Sequence, residues 1–545
     1  MLVARGFGLP RLSYACRHPK PFREADIPLR GIMPHGRRCA IPPFPQRMQT
    51  VRKLASAIPL GRGSAYAAGM AYIEGHARDQ ALLLPASVED YVSADNPVRF
   101  IDAFVEDLDL VEAGFLRTRP KATGRPGYAP GDMLKLYLYG YLNRVRSSRR
   151  LEAEATRNLE LIWLLRGLRP DFKTIADFRR DNRSAFKAVF RAFVVLCRKL
   201  DLFGRELLAV DGTRLKAVNS RTRNFTKAKL DKYIRSADER LEKYLAQLDD
   251  ADRGDEAGTT RRSEALVAKI ARVREQRQVS EAMLEQLKAS GESQISLTDP
   301  DARAMAAHPK VGVGYNAQVA VDAKHKLIVE QHVTNAGSDL GFLAETAGVA
   351  KDLLGVERID VVADMGYYMG EDIAACEQAG ITPYVARPQR GTAVGDGRFP
   401  KERFRYDEAA DCYHCPGDQR LDTRYRWLQG GHIIVQYSNP HACGGCELKP
   451  QCARGNFRRI TRWEGEAVLD RMAIRLAARP DILNIRRETV EHPFGSIKQW
   501  MNQGAFLMRG LDKVRGEFSL TALAYNLRRA INLVGVQGLI QAVQA

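Results

Sequence analysis

Two aspartates in this 545-residue chain stand in the same local setting, after a short apolar run and before a turn that contains glycine. Asp211 follows the apolar residues 207–210, and Asp364 follows residues 359–363. Apolar runs of this length predict buried strands. If the strands are neighbours, two carboxylates meet at one edge of a sheet, and a hard divalent cation such as Mg²⁺ relieves their repulsion. Two such ions can activate an attacking oxygen and stabilise a leaving one in phosphodiester chemistry.

A third acid is expected in a later basic segment, where Arg487, Glu491 and Lys498 share one face of a continuous helix. Glu491 would ligate metal, and Arg487 and Lys498 would hold phosphates. Glu488 is the competing acid, and Pro493 can kink or start a helix at this point. The alternative is an exposed Arg–Glu pair, which is common on protein surfaces.

Three motifs in this order resemble those of the DDE transposases of bacterial insertion sequences. They are Ala209-Val210-Asp211-Gly212-Thr213, Val362-Ala363-Asp364-Met365-Gly366-Tyr367 and Arg487-x3-Glu491-x6-Lys498. The family's third motif begins with tyrosine, and Asn484 stands at that position here. A helical segment before residue 200 also resembles the family's N-terminal domain. Its matching stretches are Gly124-Arg125-Pro126 and Pro170-Asp171-Phe172-Lys173-Thr174-Ile175, so the resemblance covers most of residues 70–535.

The resemblance implies an α/β fold, in which an RNase-H-like mixed sheet is flanked by helices. An all-α N-terminal domain, a helical-hairpin insertion and a Cys-rich ribbon insertion would accompany it. The implied catalytic and metal-binding residues are Asp211, Asp364 and Glu491, which would hold two Mg²⁺ ions. Activated water would cut DNA at the terminal inverted repeats of a transposon, and the released 3′-hydroxyl would attack target DNA. Two alternatives stay open: an RNase-H-like nuclease without strand transfer, and a catalytically inactive zinc-ribbon regulator that binds DNA.

Composition and periodicity, together with the resemblance, predict five regions. A basic, Pro-rich leader that is disordered or not translated spans 1–69, and a helical DNA-binding domain spans 70–200. The catalytic domain is formed by 201–225, 306–395 and 460–535. Two insertions interrupt it, a helical hairpin at 226–300 and the Cys-rich ribbon at 396–459. The protein is expected to act as a homodimer on DNA, in the bacterial cytoplasm at the nucleoid.

The net charge of +19 favours a polyanionic partner, most simply nucleic acid. The leader supplies +10 of this charge, so synthesis from Met70 would remove half of the basicity. No apolar run approaches the roughly 18 residues that a membrane span needs, so no membrane contact is expected. The candidate DNA contacts in the helical domain are Arg144, Arg146, Arg149 and Arg150. A solvated helix face is the alternative for each of them.

Five of the nine cysteines lie within 41 positions, namely Cys412, Cys415, Cys443, Cys446 and Cys452. The first four form two Cys-x2-Cys pairs, and four thiolates fit a tetrahedral zinc ion. The spacer between the pairs is 27 residues, which is longer than in the usual zinc ribbon. Cys452 and His414 compete as ligands. A structural zinc is one interpretation, and reduced thiols without metal are the other.

Overall fold

The structure, a computed structural model, describes residues 87–119, 126–252, 259–292, 294–307, 310–388 and 395–545. The leader expected at 1–69 lies outside these residues, and so do Gly124 and Arg125 of the basic turn. None of the helices in the described ranges combines the length and the apolar character that crossing a membrane requires.

Six α-helices come first in the described chain. They are α1 (Pro97–Asp107), α2 (Pro130–Leu142), α3 (Ser148–Arg157), α4 (Leu159–Leu164), α5 (Phe172–Asp181) and α6 (Ala185–Lys199), after a 3-10 turn at Val88–Tyr91. Asn96, Asn158 and Asp171 cap α1, α4 and α5 by accepting hydrogen bonds from the first free backbone N–H groups. Nearly every residue of α2 is buried, so this helix forms the centre of the helical region.

The middle of the chain holds most of the strands and a long helical pair. The strands are β1 (Leu207–Lys216), β2 (Asn224–Thr226), β3 (Gln294–Ser296), β4 (Arg303–Ala307), β5 (Lys310–Asp322), β6 (Ile328–Thr334), β7 (Ile359–Ala363) and β8 (Ile381–Val385). The helices are α7 (Lys227–Asp252), α8 (Thr259–Ser290), α9 (Leu343–Leu354) and α10 (Gly370–Gln378). The helices α7 and α8 pack on each other through apolar residues that include Leu230, Ala237, Ile270 and Val273, as expected for a helical hairpin.

Six of these strands form one mixed sheet with β1 at its centre. The order is β6-β5-β1-β7-β8, and β4 pairs with the first part of β5. The strand β5 is antiparallel to both β1 and β6, whereas β7 and β8 run parallel to β1. This arrangement confirms the RNase-H-like mixed sheet that the resemblance implies. Because β1 and β7 are covered on both faces, residues 208–210 and 361–363 are unbroken apolar, buried runs.

The Cys-rich region adds two small antiparallel sheets. Its strands are β9 (Arg405–Asp407), β10 (Cys412–His414), β11 (Arg420–Leu421), β12 (Thr423–Gln429), β13 (His432–Ser438) and β14 (Arg459–Trp463). The first sheet has the order β11-β10-β9 and the second has the order β12-β13-β14. They share a small apolar core of their own, which includes Phe404, Tyr413 and Tyr437.

Three helices complete the described chain. They are Ala467–Ala478, Ile482–Gly495, which we call the site helix, and Leu511–Gln544, which we call the C-terminal helix. Pro493 lies inside the site helix, and a π-helical turn at Ser496–Trp500 follows directly. This wider turn changes the angular spacing that an uninterrupted α-helix would give between Glu491 and Lys498. The C-terminal helix packs against α1, α2, α6 and β6, and thereby joins the helical region to the sheet.

Candidate active site at one edge of the sheet

The two predicted aspartates meet at one edge of the sheet. The parallel register pairs Val210 with Ala363, so Asp211 and Asp364 are the next residues on adjacent segments of the chain. The strand β7 ends there and a 3-10 turn at Met365–Tyr367 follows Asp364. The turn predicted after Asp211 is corrected, because β1 continues through Asp211 and Gly212 to Lys216 in register with β5.

A guanidinium from the site helix bridges the two aspartates, because Arg486 Nη2 lies 2.8 Å from Asp211 Oδ1 and 3.7 Å from Asp364 Oδ2. The Asp211 side chain is only 17% exposed, whereas that of Asp364 is 42% exposed. Solvent therefore reaches the pair from the Asp364 side.

Burial raises the pKa of Asp211 to about 6, and the charges of Asp364 and Asp339 add to this increase. Arg486 and the backbone N–H of Gly212 oppose it by favouring the ionised carboxylate. Burial also lowers the pKa of Lys498, although the charge of Asp211 acts in the opposite direction. The site thus concentrates negative charge in a sparsely hydrated place, where a cation is strongly favoured.

Glu491 lies on the same helix as Arg486 but does not reach the aspartates. It is exposed, and in the described structure its carboxylate forms no hydrogen bond or ion pair. Glu491 comes five positions after Arg486, which places it about 140° away from Arg486 around the helix axis. Within the described residues, the oxygens of Asp211, Asp364 and Glu491 do not all come within 4.8 Å of one another. The role of Glu491 as third ligand therefore stays a prediction. Arg487 and Glu488 are exposed as well.

A fourth carboxylate, Asp339, belongs to this site and was missed in the sequence. It lies in the loop after β6 and accepts hydrogen bonds from Asn316 and Gln318 of β5. Arg214 Nη2 lies 3.3 Å from its second oxygen. The available signal was topological: β6 runs parallel to β1, so the loop that follows β6 returns to the same edge as Asp211. Sequence spacing alone does not reveal that relation.

The four candidate DNA-binding arginines of the helical region have different surroundings. Arg146 donates to the carbonyl oxygens of Asn502 and Ala505 and pairs with the buried Glu517. Its assignment to DNA is therefore corrected, because these internal partners occupy its half-buried guanidinium. Arg144 stacks on the ring of Trp500 at 3.9 Å.

Arg149 and Arg150 keep the exposure that contact with DNA requires. The guanidinium of Arg149 also lies 5.1 Å from the ring centroid of Phe172. These two arginines, together with Arg144, remain the candidate contacts of the helical region.

The five clustered cysteines separate into two groups. Cys415, Cys443, Cys446 and Cys452 line one small cavity, together with apolar residues such as Leu421 and Leu448. Burial raises the pKa of the Cys452 thiol, and the other three sulfurs of this group contribute to the same increase. No three of these four sulfurs lie within 4.8 Å of one another in the described structure.

Cys412 lies elsewhere, which corrects its expected pairing with Cys415. Its sulfur is within 4.8 Å of ligand atoms of Asp407 and His414, and it is fully buried. Side chains alternate along a strand, so residues three positions apart point to opposite faces. Cys412 is in β10 and Cys415 follows its end, which accounts for the separation.

Comparisons with known proteins identify the family. A model described as Transposase domain (DUF772) matches residues 86–181, and a model described as Transposase DDE domain matches residues 285–527. Among solved structures, the chain is similar to a piggyBac transposase in a cryo-EM synaptic complex with hairpin DNA, at 9% identity and a TM-score of 0.30, over 83% of this chain and 79% of that chain. No curated protein matches. Members of the DDE family generally use a divalent metal ion and act on DNA. The two transposase models together span well over half of the sequence, and the chain belongs to the DDE transposases.

Proposed function

We propose that this transposase cuts DNA at the ends of its own element and joins those ends to target DNA, using two Mg²⁺ ions held by Asp211, Asp364 and Glu491. The observation that carries the proposal is the meeting of Asp211 and Asp364 at one sheet edge, where Arg486 bridges them. Both carboxylates thus contact one positive group, the Arg486 guanidinium. We further propose that the element is a bacterial insertion sequence and that the enzyme acts in the cytoplasm, at the nucleoid.

The residues present fit a hard divalent cation. Mg²⁺ binds through one or two carboxylates together with water and substrate phosphate, and the partly exposed Asp364 leaves room for both. Glu491 has no competing partner in the described structure, and because it lies about 140° around the site helix from Arg486, its ligation would require the helix to rotate or shift. Bound Mg²⁺ would supply Lewis-acid activation of the attacking oxygen and stabilisation of the leaving oxygen.

The basic residues around the carboxylates are suited to holding the DNA backbone. Lys498 carries its ammonium in a partly desolvated position near Asp211, and its Nζ lies 5.9 Å from the Phe494 ring centroid. Arg487 is exposed on the site helix. Such groups give charge-assisted contacts to phosphate oxygens and keep the scissile bond close to the acids. Arg144, Arg149 and Arg150 would extend this contact toward the terminal inverted repeats, and a homodimer would hold two ends together.

A cleavage and joining assay tests the proposed activity. Purified full-length protein is incubated with Mg²⁺, a duplex that carries the element's end, and a supercoiled target. We expect the wild type to release a 3′-hydroxyl end and to join it to the target. Asp364→Asn should do neither. The matched control is Asp360→Asn on the same strand, because Asp360 pairs with Arg479 away from the site.

Each result of this assay has a definite meaning. Cleavage without joining would favour the nuclease alternative, and binding without cleavage would favour the inactive regulator. Equal cleavage by the wild type and Asp364→Asn would refute the assignment of the acids.

We also propose a structural zinc ion in the Cys-rich region, held by Cys415, Cys443, Cys446 and Cys452. Four thiolates around one cavity suit tetrahedral zinc. The backbone N–H of Gln419 already donates to Cys415 Sγ at 3.4 Å, a contact that favours a thiolate over a thiol. Metal binding would draw the sulfurs together, because they are spread more widely than zinc ligands in the described structure. Cys412 is not in this set.

A further inference from the structure

Asp339 stands at the centre of a buried network beside the two catalytic aspartates. Its Oδ1 accepts hydrogen bonds from Asn316 Nδ2 at 2.6 Å and from Gln318 Nε2 at 2.7 Å, and its Oδ2 faces Arg214. Asn316 and Gln318 are fully buried, and they lie opposite Arg214 and Gly212 in the register of β5 and β1. The network is therefore built on the two strands at the centre of the sheet.

The Asp339 carboxylate lies against the residue that follows Asp211 in β1 and near the turn that follows Asp364. A Cβ atom on Gly212 would lie 2.5 Å from Asp339 Oδ1, and a Cβ atom on Gly366 would lie 3.5 Å from Oδ2. The hydroxyl of Tyr367 donates to Gln318 Oε1, which links the Asp364 turn to the same network. Asp339 thus fits between Gly212 of β1 and the turn after Asp364, and it approaches β1 this closely only because residue 212 is glycine.

One polar atom of this network is left without a partner. Asn316 Oδ1 is buried and has no hydrogen bond in the described structure, and it faces Gly212. A buried acceptor without a partner calls for a physical explanation, and a close fit of Asn316 and Asp339 against the backbone beside Asp211 supplies one.

We infer that Asp339 is a positioning residue for the metal site, which holds the β1 backbone beside Asp211 and the turn after Asp364 at the separation that a divalent cation requires. It acts through Asn316, Gln318 and Tyr367 and need not touch the metal. The inference rests on the proposed function, because it presumes that Asp211 and Asp364 bind a divalent cation. Residues behind metal ligands commonly change metal affinity by about 10- to 100-fold when they are replaced.

Binding of Mn²⁺ to the full-length protein without DNA, followed by electron paramagnetic resonance, tests this inference. We expect Asp339→Asn to weaken Mn²⁺ binding about tenfold, because an amide has one acceptor oxygen and its nitrogen would face either the two amide donors or the Arg214 guanidinium. The matched control is Asp322→Asn, at the far end of β5. Asp322 is a fully buried carboxylate, and it accepts hydrogen bonds from the backbone of Gly204, Arg205 and Lys324.

The control separates positioning from stability. Asp322→Asn should lower the melting temperature without changing Mn²⁺ affinity. Wild-type affinity in a folded Asp339→Asn protein would overturn the inference, and so would an equal loss of affinity in Asp322→Asn. If Asp364→Asn retains wild-type Mn²⁺ binding, the proposed metal site itself fails, which is a different result.

A milder variant covers the case in which Asp339→Asn does not fold. Tyr367→Phe removes one hydroxyl and keeps the buried ring, so the protein should fold. It should weaken Mn²⁺ binding about threefold, because Gln318 loses the link to the Asp364 turn. Unchanged affinity in this variant would overturn the inference.

Discussion

The sheet edge and the Cys-rich region assemble their polar groups in opposite ways. At the sheet edge, Asp211, Asp339 and Asp364 come from distant parts of the sequence, and strand register and buried amides hold them together. In the Cys-rich region, four sulfurs within 38 positions line a cavity beside a small core. Strand register and buried amides fix the aspartates of the first site, whereas the second has so little apolar core that a metal would contribute to its stability.

Replacing Asp211 should have the largest effect on activity and little effect on the fold. We expect Asp211→Asn to reduce DNA cleavage at least about 1,000-fold, because the variant lacks a carboxylate that would hold the metal ion needed for the reaction. The melting temperature should change little, since the large core of the sheet is untouched. Cleavage kinetics and thermal unfolding measure the two quantities. A folded Asp211→Asn variant that still cleaves DNA at the wild-type rate would show that the sheet edge is not the catalytic site.

Removal of one proposed zinc ligand should chiefly affect the local stability of the Cys-rich region, whereas replacement of Asp211 should chiefly affect activity. We expect Cys415→Ser to lose the bound zinc and to become sensitive to proteolysis between residues 400 and 455, because four ligands normally close a structural site. Cys412→Ser should keep the metal, since its sulfur lies apart from the other four. Elemental analysis and limited proteolysis provide the measurements. Loss of zinc in both variants would mean that Cys412 and Cys415 bind the same zinc ion after all. A wild-type protein that contains no zinc would refute the proposed zinc site.

The same contrast explains how much could be predicted from the sequence. The buried apolar runs that lead to Asp211 and Asp364 were predictable, because a short apolar run is a local signal. The end of the first strand was not, because β1 continues past Asp211 and Gly212 by pairing with β5. The position of Asp339 beside the two aspartates could not be predicted, since it depends on the order of the strands in the sheet. Cys412 was misassigned because the spacing Cys-x2-Cys does not show whether the first residue lies in a strand. Arg146 was misassigned because its partners lie more than 350 positions away.

Acidification should weaken metal binding at the sheet edge over a defined range of pH. The pKa of Asp211 is raised to about 6, so the carboxyl becomes protonated and neutral as the pH falls through 6. Mn²⁺ affinity should then decrease by up to about tenfold per pH unit below 6, because each ligand must lose its proton before it binds.

The stability of the metal-free protein should respond to the same protonation with the opposite sign. A folded-state pKa above the unfolded value means that the folded protein binds the proton more tightly, so this contribution favours folding as the pH falls from about 6 to 4. Asp211→Asn should remove this contribution to the pH dependence of unfolding. If Mn²⁺ binding were flat between pH 5 and 7, the raised pKa of Asp211 would be excluded.

Replacement of Arg486 should change Mn²⁺ affinity less than replacement of Asp339, and in the opposite direction. Its guanidinium pairs with the carboxylates that would bind metal, so it competes with the cation when DNA is absent. We expect Arg486→Gln to tighten Mn²⁺ binding about threefold, which corresponds to a partly screened charge contact of under about 1 kcal/mol. The same variant should weaken DNA binding, because a displaced guanidinium can contact phosphate. Arg479→Gln is the control, since Arg479 pairs with Asp360 instead. Weaker Mn²⁺ binding in Arg486→Gln would mean that this arginine supports the site as Asp339 does, and that the sheet edge is held from both sides.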